Sequence, residues 1–114
     1  MSKTSVQVAV SAQQEVAFTR LHGHLVDSGA IAAASGSTVD EPRSLAYSLQ
    51  LRDGTTQVTS LELTPAVEGC VLTMSVDLEH QGERQDKAWL TPKQLEEQHR
   101  TLAGMFARIA SGTA

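Results

Sequence analysis

The sequence predicts an α+β fold in which a curved antiparallel β-sheet grips one long C-terminal α-helix. Three observations carry that expectation. Residues 44–79 alternate apolar and polar side chains in three successive runs, as strands with one buried face do. Residues 91–112 instead repeat apolar side chains at helical spacing. A strand-like and a helix-like run come before the meander, so the helices flank the strands rather than alternate with them, which favours α+β.

The first run, Ser5 to Val10, sets Val6, Val8 and Val10 against Ser5, Gln7 and Ala9. Ser11 with Gln14 three residues on has the spacing of a capping box, and Val16, Ala17, Phe18 and Leu21 give the helix that follows an apolar side. Gly23 is its expected end. The Ala30–Ala34 run fits helix or strand. A weak strand is the favoured reading, bending at Gly36 and continuing through Thr38 and Val39.

From Ser44, Leu45, Tyr47, Leu49 and Leu51 alternate with Ala46, Ser48, Gln50 and Arg52. Asp53-Gly54 predicts a tight hairpin, since glycine tolerates positive φ. The return strand is Thr55–Thr64, with Thr59, Leu61 and Leu63 on one face and Pro65 as its end. Glu68-Gly69 marks the next turn. Cys70–Glu79 then places Leu72, Met74, Val76 and Leu78 on one face. His80–Asp86 reads as a polar loop and Lys87–Leu90 as a short strand or the approach to the last helix. In that helix Thr91, Pro92 and Gln94 form the start and Gly112 the stop. Leu95, Leu102, Met105, Phe106 and Ile109 make the stripe, widened by Ala103, Ala107 and Ala110.

The chain has 114 residues, 40% hydrophobic and 19% charged, which predicts one globular domain over residues 1–114. Its net charge is −4 and its Lys and Arg residues do not cluster, which speaks against nucleic-acid binding. No run approaches the length of a membrane span, so membrane insertion is not expected. One cysteine, Cys70, and no secretory signal core suit the cytoplasm.

The run Val39-Asp40-Glu41-Pro42-Arg43-Ser44-Leu45-Ala46-Tyr47 resembles a stretch of the SRPBCC superfamily, the Bet v 1/START-like helix-grip fold. So do Asp53-Gly54 followed by Val58–Pro65, and the strand Val71–Val76. The nearest branch is the bacterial group related to the activator of the Hsp90 ATPase, often called AHSA1-like. The resemblance implies a helix-grip fold, abbreviated between the first helix and the meander. It also implies a non-catalytic protein holding a small hydrophobic ligand, lipid- or polyketide-like. The expected lining is Tyr47, Leu49, Leu61, Leu63, Met74, Val76, Leu102, Met105 and Phe106, with the Tyr47 hydroxyl as an orienting group. The alternative is a protein–protein module, a homodimer or a co-chaperone-like partner, with a solid core. A cyclase- or hydrolase-type enzyme is the third reading.

Other groups carry less. His22 and His24 have the spacing of a metal-chelating pair, yet no third ligand is placed by spacing, and polar residues after a helix end are the simpler reading. No cofactor is expected. Cys70 has the chemistry of a nucleophile with His80 or His99, but a small residue at a sheet edge explains it better. Glu96, Glu97 and Arg100 have the spacing of surface ion pairs. Trp89, alone before the last helix, fits one end of the core or a contact surface.

Overall fold

The computed structural model describes residues 2–34, 36–50, 54, 56–79 and 92–112. Among them run β1 (Ser2–Val10), α1 (Gln14–Asp27), α2 (Ala30–Ala33), β2 (Gly36–Asp40), β3 (Ser44–Gln50), β4 (Thr56–Ala66), β5 (Gly69–Glu79) and α3 (Pro92–Ser111). The five strands form one antiparallel sheet in the order β1-β5-β4-β3-β2. The meander from β2 to β5 is therefore continuous, and β1 closes onto its far side.

Register turns alternation into two faces. Val6 pairs with Met74, Leu61 with both Met74 and Leu45, and Tyr47 with Thr59. These residues are buried on the inner face. Ser5, Ser75 and Ser60 pair across the outer face instead. The inner face is covered by α3, which lies over β1 and β5, and by α1, which packs beside α3 and over β4. Ala17, Phe18, Leu21 and Leu25 of α1 join Ala103, Phe106, Ala107 and Ala110 of α3 in one apolar cluster with the sheet. No helix among the described residues is long and apolar enough to cross a membrane.

Several local expectations change. The cap of α1 is Gln13, in extended conformation and without a side-chain hydrogen bond. Ser11 and Gln14 make long-range bonds instead. The Ser11 amide donates to the Ser111 hydroxyl at 3.0 Å, and Gln14 Nε2 donates to the Leu63 carbonyl at 2.7 Å. Gly23 lies inside α1, which continues to Asp27; Gly29, at φ 84°, follows the true end. The Ala30–Ala34 run forms the helix α2, not a strand. The strand through Thr38 and Val39 is present as β2. β4 passes through Pro65 to Ala66, because β3 ends opposite Glu62. Beyond that point one side of β4 has no strand partner, so the missing Pro65 amide breaks no ladder bond.

α3 agrees with its sequence reading in extent and stop. Gly112 follows it at φ 81° and its amide donates to the Ile109 carbonyl at 3.0 Å. Arg20 Nη1 donates to the Ala110 carbonyl at 3.0 Å, satisfying one of the last-turn acceptors from α1. Gly54 has φ 87°, as a hairpin glycine should. The readings placed on Asp53, His80–Leu90, Trp89 and Thr91 lie outside the described residues.

Candidate functional site

The site expected from sequence is the space between the inner sheet face and α3. Strand alternation puts Tyr47, Leu49, Leu61, Leu63, Met74 and Val76 on that face, and the helical period brings Phe106 down onto it. Tyr47, Leu61, Leu63, Met74, Val76 and Phe106 are buried in the central cluster. Leu49 and Leu102 are half-buried and pack against that cluster. Met105 differs: it is 38% exposed, on the flank of α3 rather than beneath it. Leu102 and Met105 line an open depression of about 720 Å³ along that flank, together with Gln94, Glu97, Gln98, Thr101 and Arg108. Leu102 therefore touches both the depression and the core.

Polar groups on the inner face are few. Burial pushes the Tyr47 phenol above its ordinary pKa, and a hydrogen bond with the Thr59 side chain offsets part of that rise. Gln57 Nε2 also donates to Thr59 Oγ1, at 3.4 Å. These three residues form a short polar row on β3 and β4 beside Leu49, which pairs with Gln57.

One inner residue has no place in the sequence-derived lining. His99 stands four positions before Ala103 and seven before Phe106, both buried, and so lies on the inward stripe of α3. It is half-buried, and its Nδ1 has no hydrogen-bond partner although that atom is buried. Burial lowers its pKa from the ordinary imidazole value. The sequence signal was available: position 99 continues the series 103, 106, 110 one turn towards the N-terminus.

The remaining candidates separate. His22 and His24 lie within α1, not after it; His22 stacks on Phe18 and His24 meets the edge of Phe106 at 6.3 Å. Among the described residues no three His, Cys, Asp or Glu side chains gather as a metal site. Cys70 is a free, buried thiol at the start of an interior strand, with its pKa raised by burial. Arg100 pairs with Glu96 at 3.4 Å on the exposed side of α3.

Three solved structures resemble this arrangement over nearly its whole length. A protein from Chromobacterium violaceum superposes with TM-score 0.68 at 10% identity, covering 97% of this chain and 99% of its own. One from Mesorhizobium loti gives 0.63 at 16%, covering 98% and 96%. An AHSA1-like protein from Aeromonas hydrophila gives 0.52 at 14%, covering 99% and 96%. The chain has the helix-grip fold, an antiparallel sheet against a long C-terminal helix. No protein-family model and no curated protein sequence matches it. In this fold α3 is the gripped helix: Phe106 is buried in the cluster with the sheet, Leu102 packs against it, and His99 is half-buried on the same stripe. An apolar surface with a few hydrogen-bonding groups is suited to binding. The inner-face positions of the described strands carry no Asp or Glu.

Proposed function

We propose that this protein is a non-catalytic binding protein that holds a small hydrophobic ligand, lipid- or polyketide-like, between the sheet and α3. The observation that carries this reading is the position of Leu102, which packs on the core and also lines the depression of about 720 Å³ beside α3. That volume suits a small organic molecule. Leu49, Leu102 and Met105 meet the ligand first, because they keep some exposure. Tyr47, Leu61, Leu63, Met74, Val76 and Phe106 form the floor and the roof. Cys70 remains a buried thiol, as a reducing cytoplasm allows.

Titration with aminoanthracene, an apolar fluorescent probe, tests the reading. Saturable one-to-one binding that a long-chain fatty alcohol competes away is expected. Fluorescence that rises linearly with probe and ignores the competitor would refute it.

A second reading, a homodimer, is favoured by one observation. β2 is an edge strand whose residues are all exposed, Val39 included. Unpaired edges are templates for strand addition. Sedimentation at rising concentration decides it: a constant monomer mass removes this reading.

A further inference from the structure

We propose that His99 is the specificity-determining residue of the grip space, and that it selects an apolar ligand carrying a hydroxyl group by hydrogen bonding to it through Nδ1. This rests on the ligand-binding reading above and adds the chemistry of the ligand.

The first support is the orphaned atom itself. His99 Nδ1 is buried and makes no hydrogen bond. A buried polar group left without a partner is costly, so such atoms commonly mark a place where something else binds. An alanine or leucine on this stripe would have avoided that cost, as Ala103, Ala107 and Ala110 do four, eight and eleven positions further along.

The second support is the level at which His99 stands. The C-terminal end of α3 is fixed beside the end of β1 by the Ser11–Ser111 bond. His99 is twelve residues earlier on α3, about 18 Å along the helix axis. The same distance back along β1, at about 3.3 Å per residue, reaches the level of Thr4 to Val6. Thr4 pairs with Val76, Val76 with Thr59, and Thr59 with Tyr47. α3 lies over β1 and β5, so His99 belongs over the Thr4–Val76 end of this row, and Tyr47 and Thr59 lie further along it on β3 and β4.

The third support is the charge of the surroundings. The inner-face positions of the described strands hold no Lys or Arg, so beneath α3 a carboxylate or phosphate would meet no strand cation; Arg108 lies on the outer flank, in the depression. A hydroxyl carries no charge, and it can donate to a bare Nδ1 or accept from a protonated one. It therefore satisfies the orphan in either neutral tautomer. The lowered pKa of the imidazole fits a neutral partner.

The test uses two probes of similar shape, naphthol and methylnaphthalene, on the full chain and on two variants. The wild type is expected to prefer naphthol by about tenfold, the worth of one buried hydrogen bond. His99→Leu keeps the apolar bulk and should bind both probes equally. His99→Asn, which places a hydrogen-bonding atom near the site of Nδ1, should restore part of the preference. In the wild type, naphthol should also shift the His99 ring nitrogen resonances while methylnaphthalene leaves them in place. Because His99→Leu removes an unpaired polar atom, its unfolding midpoint should not fall. Equal preference for naphthol in wild type and His99→Leu would overturn the role of His99 and leave the binding reading standing. Failure of the wild type to bind either probe would overturn both.

Discussion

Phe106→Ala measures whether α3 grips the sheet through its aromatic anchor. The ring is 3% exposed and lies in one cluster with the sheet's inner face and α1. Removing it loses about 1.5–3 kcal/mol of transfer free energy. Its neighbours on the stripe, Ala103, Ala107 and Ala110, are too small to fill the gap. If about 80 Å³ stays empty, the cavity adds about 2 kcal/mol. The expected loss is therefore about 3–5 kcal/mol, against a total of about 6–17 kcal/mol for a chain of this size. Urea unfolding followed by far-ultraviolet circular dichroism reads this as a midpoint lower by about 2 M, at a slope of about 2 kcal/mol per M. Met105→Ala is the control, because Met105 is 38% exposed and should cost about 1 kcal/mol or less. A loss under about 1 kcal/mol for Phe106→Ala, or one equal to that of Met105→Ala, refutes the packing described for α3.

Gly69→Ala should cost at least twice as much as Gly54→Ala in the same assay. Both have positive φ, but a Cβ at Gly69 would strike the Val10 carbonyl and the Ala12 backbone, while one at Gly54 meets nothing within 4 Å. Cys70 should resist iodoacetamide in the folded protein and react fully in denaturant, since it is buried and its pKa is raised; fast labelling of the native state contradicts its placement. His99 contributes to pH dependence with a definite sign. Its folded pKa lies below the unfolded value of about 6.5, so stability is full above that pH and falls as pH drops towards the folded pKa. Acid titration of urea midpoints should show a shallower decline for His99→Leu than for wild type, with His22, His24 and His80 common to both. Leu102→Gln should weaken aminoanthracene binding several-fold while costing about 1 kcal/mol of stability, because Leu102 is only half-buried; unchanged affinity moves the entry away from α3.

The meander could be read from sequence because period-two alternation has one physical cause, a sheet with one dry face. Val6, Leu61, Met74 and Tyr47 all obey it. α3 was equally plain, since its buried positions follow one helical stripe. What failed was local chemistry overruled by tertiary contacts. Gly23 costs only about 1 kcal/mol inside a helix, and burial of Leu21 and Leu25 on either side holds α1 through it. Ser11 looked like a cap, but its amide and the Gln14 side chain are used to join distant elements. The Ala30–Ala33 segment has the strongest helix-forming residue but only one turn, too short for periodicity to show. Pro65 stops a strand only where both sides are paired, and pairing on the β3 side had already ended.

The lining of the site was half legible for the same reason. Apolar stripes reveal which faces meet, not which end of the meeting is closed. That is decided by three hydrogen bonds that no pattern announces: Ser11 to Ser111, Gln14 to Leu63 and Arg20 to Ala110. All three lie at the end of the sheet where β1 finishes and α3 ends. The tight packing of Ala103, Phe106, Ala107 and Ala110 belongs to that half of the helix. Towards the other end, residues 93, 94, 96, 97, 98, 100 and 101 are exposed, and His99 is the described side chain that still turns inward. A reading based on hydrophobicity passes over it, because it ranks a histidine as surface. Position on the stripe places it inside, with an unpaired nitrogen in an apolar setting. The proposed pocket, tied at one end by these bonds between side chains and backbone and carrying its free polar atom nearer the other, would admit a ligand from the N-terminal half of α3. The proposed hydroxyl preference of His99 and the proposed entry past Leu102 thus rest on the same asymmetry, and a variant at either position should alter binding without unfolding the tied end.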